Sequence, residues 1–243
     1  MNLAILLPVR NGAKTIKRSI DSIENQTFFK NLKNTYKIYL VDNMSSDNLK
    51  TEIQGYKNLI NFQSPYLGIG SALNAGLYKI QNDDSVEYVA RMDQDDVWHL
   101  DKIETQMDFL MNNKHIDICG TQMHFNKIND SVTLPFEYSK YPTDDKTIKE
   151  WLMNGMNPLA HSSIIYKKYI FNFVGGYDDT YKYAEDLDLW LKCLNFCSFA
   201  NINKTLVEYF YEKKASQNLQ DRSTALLNIR TKLLHDPRFL IAQ

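Results

Sequence analysis

Ser85-Val-Glu-Tyr-Val-Ala-Arg-Met-Asp-Gln-Asp-Asp96 is the stretch on which the fold of this chain depends. A short apolar run, residues 88–92, ends abruptly in Asp93, Asp95 and Asp96, which is typical of a buried strand with several negative charges at its carboxyl end. Carboxylates packed so closely repel each other, and a cation or protonation relieves that repulsion. Mg²⁺ and Mn²⁺ prefer oxygen ligands and often bridge to a substrate phosphate. The stretch alone therefore allows two interpretations: a site for a metal and a diphosphate, or an acidic loop that caps the next helix.

The composition of the chain excludes several classes of protein. With 243 residues and a formal net charge of −1, the chain suffices for one large α/β domain and is not a nucleic-acid binder held by bulk charge. Its cysteines are few and odd in number, which argues against a disulfide framework and favours a reducing compartment; they are Cys119, Cys193 and Cys197. No targeting segment or membrane span is visible, so we expect a cytoplasmic protein, with peripheral binding to the inner face of the membrane left open.

Apolar runs and helical patterns alternate on both sides of the opening stretch. Runs typical of buried strands occupy residues 3–9, 36–41, 59–62, 88–92 and 116–123. Helical spacing of apolar residues occurs in residues 16–23 and 68–80 and, after the acidic cluster, from Trp98 to Leu110. This alternation predicts an α/β fold with a single Rossmann-like, mostly parallel sheet flanked by helices on both faces.

After about residue 125 the regular alternation fades. The patterns there predict a hairpin turn at 129–131, a helix over 143–154 capped by Thr143 or Asp144, a strand over 159–166, a helix over 183–196, a strand over 203–211 and a final amphipathic helix over 216–235. We therefore divide the chain into residues 1–125 and a smaller α+β elaboration, residues 126–243, within the same compact domain.

Polar residues follow three of the predicted strands at the point where each strand ends. Arg10-Asn11 follows the first strand, Asp42-Asn43 the second, and the residues 93–96 the fourth. In an open parallel sheet, ligands bind in the crevice at the carboxyl ends of the strands. Three such clusters on separate strands favour a pocket with several carboxylates over a series of unrelated loop caps.

The segment Gly68-Ile-Gly-Ser-Ala-Leu-Asn-Ala-Gly76 begins like a dinucleotide-binding fingerprint. Its third glycine position holds Leu73, and no acidic residue is clearly placed for a ribose, which disfavours a nicotinamide enzyme. The small residues permit either a close approach to a phosphate at a helix N-terminus or tight packing of the helix on the sheet, and both interpretations stay open.

A second acidic constellation lies far along the chain. Gly175-Gly-Tyr-Asp178 is followed by Ala184-Glu-Asp-Leu-Asp-Leu-Trp190, in which Asp186 and Trp190 stand i and i+4 on one helical face. Asp186 is therefore a candidate base with an aromatic floor beneath a bound ring. The alternative is an acidic helix start, which the helix dipole favours.

Taken together, these motifs resemble the bacterial family 2 glycosyltransferases with the A-type fold. The resemblance covers about residues 1–215 and rests on Pro8-Val-Arg-Asn-Gly, Val41-Asp-Asn, residues 68–76, Ala90-Arg-Met-Asp-Gln-Asp-Asp96 and Glu185-Asp-Leu-Asp-Leu-Trp190. It implies a nucleotide-sugar donor, with a UDP-sugar expected, and a glycan or lipid-linked glycan acceptor of the bacterial surface. It also implies a divalent metal, Mn²⁺ or Mg²⁺, and transfer with inversion at the anomeric carbon, with residues 1–125 binding the donor and residues 126–243 the acceptor.

The resemblance also assigns roles to individual residues of this chain. On the donor side it places Pro8, Arg10, Asn11, Asp42, Asn74, Arg91 and Asp93. Asp95 would bind the metal directly, Asp93 is a second candidate ligand, and Asp186 would be the general base. Glu185, Trp190 and His161 would lie on the acceptor side. An inverting transfer needs a base for the acceptor proton and a cation for the departing diphosphate, and the two acidic clusters provide for one role each.

The chain departs from the family pattern at two places. Tyr66 stands where the family often has Asn, and the Tyr209–Ser216 stretch, with Glu212, replaces a pattern that contains a metal-side His. The changed Tyr209–Ser216 stretch leaves the identity of a third metal ligand undetermined. It also allows a second function, that of a catalytically silent protein that binds a nucleotide-sugar or glycan. A sugar-nucleotide nucleotidyltransferase ranks lower, because the loop from Pro8 to Lys14 lacks the repeated glycines of a triphosphate loop.

Overall fold

The computed structural model describes residues 1–127, 137–211, 224, 226–229 and 231. Up to residue 211 the described residues form one eight-stranded sheet and seven α-helices, and residues 224, 226–229 and 231 are also helical. The strands are β1 (Asn2–Val9), β2 (Thr35–Asp42), β3 (Leu59–Gln63), β4 (Tyr88–Arg91), β5 (Val97–Trp98), β6 (Ile118–Lys127), β7 (Ile165–Lys167) and β8 (Phe199–Tyr211). The helices are α1 (Ile16–Glu24), α2 (Leu49–Glu52), α3 (Ile69–Gln81), α4 (Lys102–Asn112), α5 (Asp145–Met153), α6 (Ile170–Val174) and α7 (Glu185–Cys193).

The sheet has the strand order β3-β2-β1-β4-β7-β6-β8-β5. Strands β3, β2, β1 and β4 are parallel, as the alternating pattern of the first half predicts. β7 is antiparallel to both β4 and β6, and β5 is antiparallel to β8, so the second half makes the sheet mixed. The predicted fold class, an α/β sheet flanked by helices, is confirmed.

Each face of the sheet carries its own hydrophobic core. In β1, Ala4 and Leu6 pack in one core with α3, α5, α6 and α7. Leu3, Ile5 and Leu7 pack in the other core with α1 and α4. Because a strand turns successive side chains to opposite faces, only a continuous apolar run can fill both cores, and this is the pattern that β1 shows.

The structure corrects three of the predicted elements. Trp98 does not mark a helix; it lies in β5, and α4 begins only at Lys102 with Asp101 before it. The interpretation of Asp96 as a helix cap is therefore wrong. The predicted strand over 159–166 is interrupted by a 3-10 turn, His161–Ser163, and only its end joins β7.

Other predictions of the second half are confirmed or lie outside the described residues. Asp144 caps α5, because its carboxylate accepts a hydrogen bond from the backbone N–H of Thr147 at 2.9 Å. All three cysteines are free and buried. The predicted hairpin at 129–131 and most of the predicted helix over 216–235 lie outside the described residues. Among the described residues, no helix combines the length and the apolar character needed to cross a membrane.

Candidate active site

The loop after β1 is fixed to the acidic loop after β4 by a single glutamine. The backbone N–H of Arg10 donates to Gln94 Oε1 at 2.7 Å, and Gln94 Nε2 donates to the carbonyl of Arg10 at 3.2 Å. Gly12 leaves room for this contact, since a Cβ there would lie 2.9 Å from Gln94 Oε1. Gln94 stands inside the acidic motif, but no local pattern of the sequence indicates this contact.

The loops after β1 and β2 are joined in the same way. Asn11, with a positive φ of 52°, accepts a hydrogen bond from the backbone N–H of Ser46 at 2.8 Å. The carboxylate of Asp42, which is buried, accepts one from the N–H of Ser45 at 2.8 Å. Pro8 is buried inside β1 and pairs with Val41, so it supports this edge from the core. The structure thus brings the three predicted polar clusters to one edge of the sheet.

The start of α3 is tied to this edge as well, but its glycines serve packing. Asn43 Oδ1 accepts a hydrogen bond from the N–H of Gly68 at 3.0 Å. A Cβ on Gly76 would overlap the side chain of Leu6, and one on Gly70 would lie 2.7 Å from the backbone of Asp179. Helix-to-sheet packing accounts for Gly76, and the approach of the 178–179 loop accounts for Gly70.

The acidic cluster itself surrounds a buried arginine. Arg91, 2% exposed, forms an ion pair with Asp93. Burial opposes the charge of Arg91, but the carboxylate of Asp93 outweighs this effect and raises the pKa of Arg91. Burial and the charge of Asp93 raise the pKa of Asp95 to about 6. Burial, followed by the charges of Asp93 and Asp95, raises the pKa of Asp96 well above its usual range.

The raised pKa values reflect burial and the repulsion between neighbouring carboxylates, which a bound cation would relieve. Deprotonated Asp93 and Asp95 would repel each other, and a hard cation favours oxygen ligands of this kind. Among the described residues, no three His, Cys, Asp or Glu side chains are arranged to hold a metal ion. The donor chemistry of Asp93 and Asp95 therefore fits Mg²⁺ or Mn²⁺ that is also held by oxygens from a bound diphosphate, which is how Mg²⁺ usually binds at phosphate sites.

Arg18 is a residue of this region that the sequence argument missed. It lies on α1, donates from Nη2 to the carbonyl of Asp95 at 2.6 Å and stacks over the ring of Phe210 at 3.8 Å. Arg18 therefore supports the main chain of the acidic loop and connects it to β8. The helical pattern of α1 shows which face is apolar, but not what its arginine will meet.

The second carboxylate pair stands at the start of α7. Ala184, with φ of 63°, precedes Glu185 and Asp186 in the first turn. The two oxygens of Asp186 accept hydrogen bonds from the N–H of Leu187 at 2.8 Å and from Asn157 Nδ2 at 2.6 Å. Burial raises the pKa of Asp186, and these two donors lower it in part. Burial and the charge of Asp186 raise the pKa of Glu185 to about 8.

The 3-10 turn His161–Ser163 lies between the two carboxylate pairs. On one side, Ser162 Oγ accepts a hydrogen bond from the N–H of Asp93 at 3.4 Å. On the other side, His161 Nδ1 lies 3.9 Å from Glu185 Oε1, and its Nε2 is hydrogen-bonded to the hydroxyl of Tyr177 at 2.8 Å. Burial and the nearby Arg91 lower the pKa of His161 well below its usual range, so its ring is neutral. The acceptor-side role of His161 stays a prediction.

Two residues with predicted contacts to substrate are held in other contacts. Trp190 is only 1% exposed and meets the ring of His161 edge-on at 6.0 Å, so it lies beneath the site and supports His161 from the core. The side-chain amide of Asn74 clamps the backbone of Tyr177, accepting from its N–H and donating to its carbonyl, both at 2.9 Å. The donor-side role of Asn74 and the acceptor-side role of Trp190 stay predictions.

The sequence of this chain matches a known protein family. The sequence model described as Glycosyl transferase family 2 matches residues 4–175. An Escherichia coli relative, UDP-Gal:alpha-D-GlcNAc-diphosphoundecaprenol beta-1,3-galactosyltransferase, is 26% identical over 216 residues, covering 85% of this chain and 74% of that protein. The family model includes Asp93 and Asp95 and ends before Glu185.

Solved structures share the fold. Staphylococcus aureus TarS 1-349 in complex with UDP-GlcNAc superimposes with a TM-score of 0.72 at 18% identity, over 99% of this chain and 69% of that chain. The mannosyltransferase PcManGT from Pyrobaculum calidifontis, in complex with GDP-Man and Mn²⁺, gives a TM-score of 0.68 at 14% identity, over 96% and 64% of the two chains. At these identities the two structures establish a shared fold.

Proposed function

We propose a specific reaction for this chain, which belongs to glycosyl transferase family 2 and is thereby a glycosyltransferase. The chain moves a sugar from a UDP-sugar to a hydroxyl group of a glycan acceptor, with inversion at the anomeric carbon and with the assistance of Mn²⁺ or Mg²⁺. One observation carries the proposal. Two carboxylate pairs, Asp93 with Asp95 and Glu185 with Asp186, flank the 3-10 turn His161–Ser163, which bonds to the main chain of Asp93 on one side and stands 3.9 Å from Glu185 on the other. Each pair is supplied by a different part of the chain.

Asp186 is the general base in this proposal. The acceptor hydroxyl oxygen attacks the anomeric carbon, and its proton passes to Asp186 while the bond from that carbon to the diphosphate oxygen breaks. The bonding electron pair leaves with the nucleoside diphosphate. A base works best when its pKa is near the working pH, and burial moves the pKa of Asp186 in that direction. Glu185, with a pKa of about 8, keeps its proton at neutral pH and leaves Asp186 as the negative member of the pair.

The other carboxylate pair serves the leaving group. Asp95, with Asp93 beside it, would hold the divalent ion, which when bound neutralises the charge that develops on the diphosphate. The buried ion pair of Asp93 with Arg91 fixes the orientation of the Asp93 carboxylate. The fixed loops after β1 and β2, with Arg10, Asn11 and Asp42, would receive the nucleoside.

The location of the reaction also belongs to the proposal. The name of the E. coli relative describes an acceptor linked to diphosphoundecaprenol, a lipid. By analogy we propose a lipid-linked glycan acceptor and action at the inner face of the membrane. The alternative, a silent binding protein, would take up the donor and release no nucleoside diphosphate.

The test is a panel of nucleotide sugars, including UDP-Gal and UDP-GlcNAc, with Mn²⁺, in which donor binding and nucleoside diphosphate release are measured separately. Asp95→Ala should weaken metal-dependent donor binding. Asp186→Asn should leave donor affinity unchanged and lower turnover by roughly 10²–10⁴-fold, the usual range for loss of a general base. Asp108→Asn, an exposed change on α4, is the matched control. Normal turnover of Asp186→Asn would refute the base assignment, and uptake of donor by the wild type without any release would favour the silent binding protein.

A further inference from the structure

The carboxylate of Asp186 receives its two hydrogen bonds from different sources. The N–H of Leu187 belongs to the same helix turn, so any carboxylate at the start of α7 would have it nearby. Asn157 Nδ2, at 2.6 Å from Asp186 Oδ2, lies 29 positions earlier in the chain. A contact between such distant positions requires that the loop of Asn157 be held in place independently.

The loop of Asn157 is held on both sides. At its start, Gly155 has a left-handed φ of 69°, and its N–H donates to the carbonyl of Leu152 at 2.8 Å. The N–H of Met156 donates to the carbonyl of Trp151 at 3.0 Å, which completes the end of α5. Just beyond Asn157, the carbonyl of Pro158 accepts a hydrogen bond at 3.0 Å from Asn201 on β8.

The side-chain amide of Asn157 has only one orientation that satisfies its neighbours. Its Oδ1 accepts a hydrogen bond from the N–H of Leu159 at 3.2 Å. The other end of the amide, the NH₂ group, is therefore the end that faces Asp186. This group can only donate, so it stabilises the ionised carboxylate.

We propose that Asn157 is a positioning residue for the general base: its amide holds Asp186 ionised and fixes the direction in which the carboxylate accepts the acceptor proton. This inference rests on the proposed function of Asp186 as the base. Asn157 has no contact with the reacting atoms in this account and acts through Asp186.

The charges around Asp186 determine the sign of the effect. Asp93 disfavours the negative charge of Asp186 and Arg91 favours it, while Glu185 keeps its proton at neutral pH and the hydroxyl groups of Tyr141 and Tyr177 are neutral in the working range. The Asn157 amide adds a donor without adding charge. Removal of the amide should raise the pKa of Asp186. When the pH is lowered, the base should then become protonated, and turnover should fall, at a higher pH than in the wild type.

The experiment measures this pKa directly and then asks whether turnover follows it. In the full-length protein with ¹³C-labelled aspartate, the carboxyl signal of Asp186 is assigned with Asp186→Asn and titrated without donor or metal. In Asn157→Ala, the pKa of Asp186 should rise by about 1 unit, the size expected for one hydrogen bond to a charged group. The acid limb of the kcat–pH profile, measured with UDP-Gal or UDP-GlcNAc and Mn²⁺, should move by the same amount, while KM for the donor stays unchanged.

Asn154→Ala is the matched control, because Asn154 is exposed and, among the described residues, its side-chain amide bonds only to the carbonyl of Glu150 within α5. Asn157→Asp is the second variant and keeps the size of the side chain; its carboxyl group should raise the pKa of Asp186 further, because two carboxyls would share one proton. An unchanged pKa of Asp186 in either folded Asn157 variant would overturn the inference. A raised pKa without a shift of the acid limb would refute Asp186 as the base, and with it the positioning role of Asn157 in the reaction, while the effect of the hydrogen bond on the Asp186 carboxylate would still stand.

Discussion

Lys102 offers a sharp test of how the core beneath the site is built. Its side chain is 0% exposed, its Nζ donates to Gln106 Oε1 at 2.7 Å, and it lies 4.1 Å from the centre of the Trp98 ring. Gln106 is held in turn, since its Nε2 donates to the carbonyls of Cys119 at 2.7 Å and Ser163 at 2.9 Å. Burial lowers the pKa of Lys102 from 10.5 to about 7. The perturbation is Lys102→Met, which keeps the length of the side chain and removes its charge.

The sign and size of the effect follow from proton binding. Between pH 7 and 10.5 the unfolded chain holds a proton on Lys102 that the native protein has largely lost, so native stability rises with pH in this window. From pH 7 to pH 9 this linkage stabilises the wild type by about 2 kcal/mol, since each pH unit contributes at most about 1.4 kcal/mol and Lys102 is only half deprotonated at the start. Lys102→Met lacks this gain. The loss of the hydrogen bond to Gln106 is a separate cost that does not vary with pH.

The assay is urea unfolding of the wild type and Lys102→Met at pH 7, 8 and 9. The difference in free energy of unfolding, wild type minus variant, should grow by about 2 kcal/mol from pH 7 to 9. Other groups titrate equally in both proteins and cancel in this difference. Lys50→Met, an exposed change, should show a constant difference from the wild type. A constant difference for Lys102→Met would refute the account of a neutral lysine in the core.

Two further changes test the packing and the electrostatics. Gly76→Ala should destabilise the protein by about 1–3 kcal/mol in urea unfolding, the usual cost of overpacking, because the new methyl group overlaps Leu6; an unchanged midpoint would contradict the close packing of α3 on β1. Glu185→Gln removes a carboxyl group that is 13% exposed and whose pKa is raised from 4.5 to about 8. Between these two pH values the folded wild type holds a proton that the unfolded chain has lost, so the stability of the wild type falls as the pH rises. From pH 5 to 7 without added metal, the wild type should lose about 2 kcal/mol relative to Glu185→Gln, and equal stability changes in the two proteins would argue against a protonated Glu185.

The parallel half of the sheet could be predicted from sequence because burial on both faces leaves a direct signature. Residues 3–9 show it as a continuous apolar run. β7 leaves no such signature: it has three residues, Ile165–Lys167, and inserts between β4 and β6 in the antiparallel sense. Its place depends on long-range pairing that a local pattern does not contain.

The site shows the same division between local and distant information. Acidic residues at strand ends and at the start of a helix are local patterns, and they indicated both carboxylate pairs. The partner of Asp186 could not be predicted, because Asn157 lies 29 positions away in the chain. The two residues come together only when the loop after α5 packs against the start of α7. Periodicity likewise placed Trp190 on the correct helix, but periodicity does not reveal that His161 covers it.

The 3-10 turn His161–Ser163 fixes the distance between the two carboxylate pairs of the proposed reaction. Its serine bonds to the main chain of Asp93 and its histidine stands beside Glu185, so three consecutive residues set the span between leaving-group side and base side. A longer or shorter sugar therefore cannot be accommodated by sliding one carboxylate pair away from the other. In the proposed reaction, a sugar of a different size would have to be accommodated by side chains outside this turn.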